Sequence, residues 1–117
     1  MKQYQIIQAY NAMETLADNN NLTKEDQWKI FILRKSLRSH VEFQQEQEKA
    51  LTEKYTPFAD EQGILRGEKY TEYLNEKEEL QNMEVECSFE KIKLQLKDGI
   101  TFKTIESLEN FIEFYIE

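Results

Sequence analysis

Between Thr23 and Thr56 the chain has neither glycine nor proline, so no backbone breaker interrupts a helix there. Thr23 is placed to cap such a helix, and Glu25 and Asp26 suit the positive end of its dipole. Asp26 stands where a capping box usually carries Glu or Gln, so the box is imperfect. Pro57 has no amide proton and disfavours helical backbone in the residue before it, which ends the helix at about Tyr55. The expectation is one helix over 24–55, spanning roughly 48 Å. A compact chain of this size has a radius of gyration of only about 13 Å. Either the molecule is elongated or the helix projects from a rounder body and needs cover from another helix or another chain.

The apolar pattern divides this helix. Trp28, Phe31, Leu33, Leu37 and Val41 give the first half a wide apolar face. The second half is thinner, with Phe43, Ala50, Leu51 and Tyr55 around the polar run Gln44–Lys49. Before it, Lys2 to Asp18 reads as a helix with Ile6, Tyr10, Met13 and Ala17 on one stripe, stopped by Asn19-Asn20-Asn21. After it, a loop over 56–67 is punctuated by Pro57, Gly63 and Gly67. A third helix over 68–82 follows, with Tyr70, Tyr73, Leu74, Lys77 and Leu80 turned inward and folding back on the thin half of the long helix.

The period then falls to two. Met83, Val85, Cys87 and Phe89 alternate with polar residues, as do Ile92, Leu94 and Leu96 in the opposite phase, which places a bulge or turn near Phe89–Lys91. Asp98-Gly99 marks a turn and Ile100–Phe102 a short strand. Thr104 then caps a final helix with Ile105, Leu108, Ile112 and Tyr115 inward. The fold class expected is α+β and mainly α: an elongated antiparallel helical hairpin, a small antiparallel sheet and a C-terminal helix, in one domain over 1–117.

Composition narrows the function classes. With 7 Phe, 6 Tyr and 1 Trp the chain can fill a core, and with 3 Gly and 1 Pro it is no turn-dense sandwich. The longest apolar runs are too short to span a membrane, and the start lacks the basic–apolar–small order of a signal peptide. The single cysteine, Cys87, cannot form an internal disulfide, which fits a reducing cytoplasm. It sits on the apolar side of the expected strand as an inert thiol. His40, the single histidine, reads as a partly exposed structural residue. One Cys and one His cannot supply a zinc site, and three glycines make no phosphate cradle. No catalytic residue, metal or cofactor is expected.

Charge is the most informative feature. The formal net charge is −8, the wrong sign for a general nucleic-acid binder. Residues 60–90 hold ten acids against three bases, and residues 104–117 hold Glu106, Glu109, Glu113 and Glu117 with no acid-neutralising base after Lys103. Glu72, Glu76 and Glu79 fall at i, i+4 and i+7 on the third helix, an acidic stripe suited to a basic groove on a partner. Glu84 and Glu86 are expected to be neutralised across a hairpin by Lys91, Lys93 and Lys97. Residues 27–41 carry Lys29, Arg34, Lys35 and Arg38 and no acid. Arg34, Lys35 and Arg38 form a basic patch that can pair with the acidic C-terminal segment of the same chain or of a second copy.

Several phrases of the chain occur together in a known group: "AYNAMETLA", "EQEKALTEKY", "DEQG", "YLNEKEELQNMEVECSFEKIKL" and "LENFIEFYIE". In these the chain resembles a family of small uncharacterised proteins encoded by tailed phages and prophages of Gram-positive bacteria. The resemblance covers nearly the full chain. It implies a phage context and expression in the host bacterial cytoplasm, and it brings no activity or catalytic residue. The function expected is non-enzymatic: an accessory protein that binds and inhibits a host protein with a basic surface, in its sharpest form a nucleic-acid-handling defence nuclease of the Cas9 type. No direct nucleic-acid or membrane contact is expected. The alternative is a virion or tail-assembly component acting through helix-mediated oligomerisation, with a homodimer as its simplest form.

Overall fold

The computed structural model describes residues 1–18, 22–86 and 90–116. Helix α1 (Gln3–Ala17) leads into α2 (Lys24–Tyr55), which runs unbroken for 32 residues. Thr23 caps α2 by accepting from the Asp26 amide at 3.1 Å. A single 3-10 turn over Thr56–Phe58 carries Pro57 and ends the helix where the sequence predicts. Helix α3 (Glu68–Gln81) returns along the second half of α2, as expected. Strand β1 (Ile92–Gln95), helix α4 (Phe102–Leu108) and strand β2 (Ile112–Tyr115) complete the chain. The body measures 56 × 29 × 20 Å with a radius of gyration of 17.7 Å, so the elongated alternative holds.

The core lies at one end. Ile6, Ala9, Met13 and Leu16 of α1 meet Ile30, Leu33 and Leu37 of α2, and Leu94, Leu108, Phe111 and Ile112 close the cluster. The buried stripe of α1 therefore runs through Ala9 and Leu16, and the expected Tyr10 and Ala17 lie to its side. On α2 the correction is larger. Ile30, Leu33 and Leu37 face the core, but Trp28 and Phe31 point to solvent, 62% and 52% exposed. A single helix face can dock on α1, and α2 carries apolar residues on two.

The C-terminal third differs from expectation. The strands run parallel, pairing Ile92 with Ile112 and Leu94 with Phe114. The expected antiparallel sheet is not formed, because β1 does not turn back through a hairpin. Parallel neighbours need a crossover, and α4 supplies it. That helix starts early, since Thr101, rather than Thr104, is its cap and accepts from the Thr104 amide at 3.2 Å. Phe102 is thus helical, and the expected strand over 100–102 is absent among the described residues. The expected C-terminal helix ends at Leu108, and Ile112–Tyr115 is a strand. Ile112, Phe114 and their exposed neighbours Glu113 and Tyr115 alternate at period two. Leu108, Ile112 and Tyr115 also fit a helical spacing, and pairing with β1 decides between the two periods.

Of the expected strand over 83–90, Glu84 makes one bridge to Lys2, while Cys87–Phe89, and with Phe89 the start of the bulge expected near Phe89–Lys91, lie outside the described residues. Without a hairpin, the lysines do not neutralise Glu84 across strands; its carboxylate meets the Met1 amino group at 3.1 Å. No helix among the described residues is long and apolar enough to cross a membrane.

This distribution predicts unequal costs of truncation. Leu37→Ala, at a fully buried position, should cost about 2–5 kcal/mol in urea unfolding. Leu74→Ala on α3, at a position expected to face inward but 43% exposed, should cost less, about 1 kcal/mol.

Candidate interaction surfaces

The expected basic patch separates into used and unused cations. Arg34 lies over the Tyr10 ring at 4.4 Å and reaches Glu14 at 3.5 Å, so it clamps α2 to α1. Lys29 meets Asp26 at 3.7 Å and Glu25 at 3.8 Å, and its ammonium donates to the Lys93 carbonyl at 3.3 Å, tying α2 to β1. Lys35 and Arg38 are exposed, and no acid of the described residues pairs with them. Of the C-terminal acids, Glu106, Glu109 and Glu113 make no ion pair with them, and Glu117 lies outside the described residues. His40 is half-buried, and its carbonyl accepts from the Gln3 amide group at 2.8 Å.

The acidic stripe is also redrawn. Glu76 is not on the outer face of α3. It turns toward α2, where the Lys54 ammonium donates to its carboxylate at 2.6 Å. That ammonium, and then the Tyr55 hydroxyl, hold the Glu76 carboxyl below the usual carboxylate range. The same carboxylate raises the Lys54 ammonium and the Tyr55 phenol above their ordinary values. Tyr55 also meets Tyr73 edge-on at 5.6 Å, so this cluster joins the two helices of the hairpin. Buried Gln44 lies on the same face of α2 and donates to Glu48 at 3.0 Å. The outer face of α3 instead presents Glu68, Glu72 and Glu79, all exposed. Glu72 is met by Lys69 at 3.2 Å. Glu72, Glu76 and Glu79 fall at i, i+4 and i+7, and Glu68, Glu72 and Glu79 at i, i+4 and i+11; either set fits one side of a helix, and the contact with Lys54 takes Glu76 out of the exposed one.

At the hairpin tip, Asp60 accepts from the Ile64 and Gln62 amides, each at 2.9 Å, and from Arg66 at 3.2 Å. These donors, the Ile64 amide foremost, lower the Asp60 carboxyl. Gly63 takes φ +78° inside this turn, which a side chain would strain. Next to it an open apolar hollow of about 360 Å³ is lined by Tyr55, Ile64, Leu65, Tyr70 and Tyr73. Among the described residues no group of three or more His, Cys, Asp or Glu is placed to hold a metal ion.

The surface that sequence reasoning assigned to the core is the outer face of α2. Trp28 and Phe31 stack there at 5.5 Å and 25°, with Ile32 beside them, 46% exposed. The signal was present in the spacing: Ile30, Leu33 and Leu37 make a complete core stripe without them. Comparison with known proteins returns no family model, no curated protein and no solved structure that matches the chain.

The Lys54–Glu76 cluster predicts an acid dependence. A carboxyl with a depressed folded pKa contributes stability above its unfolded value of about 4.3, and that contribution is lost as pH falls through the folded pKa. Urea midpoints of the wild type should therefore drop as pH is lowered from 5 to 3 more steeply than those of Glu76→Gln. Parallel curves for the two proteins would place the carboxylate free of Lys54.

Proposed function

We propose that this chain is a non-enzymatic accessory protein of a tailed phage, acting in the cytoplasm of its bacterial host. It binds and blocks a host protein whose working surface is basic. The observation that carries this is the outer face of α3: Glu68, Glu72 and Glu79 stand on the exposed side of a rib that extends from the core, in a chain of net charge −8. Glu68 and Glu72, at i and i+4, repel each other by about 0.2–0.5 kcal/mol, a cost that a cationic partner relieves. Enzymes that handle nucleic acid offer such channels, and a defence nuclease of the Cas9 type is the sharpest form of the target. Acidic contacts of this kind raise the association rate at low salt and lose that advantage as salt screens them.

Phage context comes from the resemblance in the sequence phrases, and the partner class from charge. A second role, as a virion or tail-assembly component, is favoured by the uncovered aromatic face of α2.

The test is capture of nucleic-acid enzymes from host lysate at low salt by the wild type and by the triple variant Glu68→Lys, Glu72→Lys, Glu79→Lys. Glu76 is left intact, because reversing it would set a lysine against Lys54 within the hairpin. The expected result is a salt-sensitive basic partner retained by the wild type and lost by the variant, with circular dichroism unchanged. Retention by both proteins, or by neither, would remove the acidic rib as the binding surface.

A further inference from the structure

We infer that the outer face of α2 is a self-complementary dimer surface, and that its occupant is the same face of a second copy running antiparallel. Among the described residues nothing covers the face along its length. Its first half presents Lys24, Trp28, Phe31 and Lys35, and its second half Glu42, Glu46, Lys49 and Glu53, all exposed. None of the six charged side chains among these makes an ion pair or hydrogen bond within the described residues. Helix α3 lies on another side, reaching α2 through Lys54 and Tyr55.

The spacing of these eight residues is a palindrome. Steps of four, three and four lead from Lys24 to Lys35, seven residues separate Lys35 from Glu42, and four, three and four lead on to Glu53. Steps of three and four keep residues on one helix face, and alternating them makes the seam by which two helices pair. A two-fold axis between Arg38 and Ser39 therefore sets each residue opposite its mirror in the other copy. Lys24 then meets the second copy's Glu53, and Lys35 its Glu42. Trp28 meets Lys49, an ammonium against an indole face. Phe31 meets Glu46, whose methylenes cover the ring while its carboxylate stays in water. Arg38 falls opposite Ser39, and the two Arg38 side chains flank the axis as the one place where like charges approach.

By symmetry each of these contacts occurs twice, the isologous arrangement of a closed dimer. The seam is about 44 Å long at the helical rise, enough to carry it. It withdraws from water the stacked Trp28–Phe31 pair, which stands exposed in the single chain. A parallel pairing would set lysine on lysine and glutamate on glutamate. A polyanion on this face would meet Glu42, Glu46 and Glu53 along with the lysines. The antiparallel second copy alone satisfies both halves. The dimer is independent of the target of α3, whose acidic face it leaves open.

The test is the solution mass over a concentration series, read with the emission of the single tryptophan. The wild type should reach twice the chain mass as Trp28 emission moves to the blue. Two charge-reversed proteins, Lys24→Glu with Lys35→Glu, and Glu42→Lys with Glu53→Lys, should each associate about tenfold or more weakly. Mixed together they should recover the dimer, because every reversed position then meets its opposite. Circular dichroism of each variant checks that the helices persist. A wild type that stays monomeric at all concentrations would overturn the proposal. So would a dimer indifferent to both reversals, a mixture that fails to recover it, or a monomer whose Trp28 emission answers only to polyglutamate or an oligonucleotide.

Discussion

One helix is longer than the core that can cover it. Everything else in the molecule follows from how the two halves of α2 are accommodated. The first half lies on α1, and Ile30, Leu33 and Leu37 are buried in a continuous apolar cluster closed by β1, α4 and β2. The second half leaves that cluster and is joined to α3 by an ion pair and an edge-on tyrosine pair. No residue of α3 is fully buried. The apolar contribution to stability is therefore concentrated at one end, and the hairpin arm depends on polar contacts of smaller net worth.

The helical part of this plan is legible in the sequence because its signals are local. Thr23 and Pro57 act within one turn of the ends they set, and both ends of α2 lie where these residues place them. The reversal into α3 follows from the glycines of the loop and the thinness of the second half of α2. What is not legible depends on contacts far apart in sequence. The segment Leu108–Tyr115 satisfies both a helical and a strand period, and only the presence of β1 beside it selects the strand. The direction of that pairing depends on whether residues 96–111 turn back or cross over, which the early cap at Thr101 decides.

The interaction surfaces show the same division. A net acidic chain with an acidic third helix is visible in the composition, but not which glutamates face water. Glu76 is taken inward by Lys54, a partner 22 residues away, and Glu68 stands in the stripe instead. Among the basic residues, Arg34 is consumed by Tyr10 and Glu14, while Lys35 and Arg38 remain free of acid partners in the described residues. Aromatic residues on α2 read as core because an apolar residue on a helix is usually buried. Here α1 covers one face, and the stacked Trp28 and Phe31 are left on the other. The proposals for α3 and for α2 thus rest on side chains that folding leaves exposed, one set acidic and one mixed.

Native-state hydrogen exchange along α2 tests the continuous two-part helix most directly. Amides from Ile30 to Leu37 should exchange only through global unfolding. Those from Gln44 to Tyr55 should exchange through a lower-energy opening shared with α3, with protection falling smoothly between the two segments. Unprotected amides at the midpoint, around Val41–Gln44, flanked by protection on both sides, would show a broken helix and contradict the account.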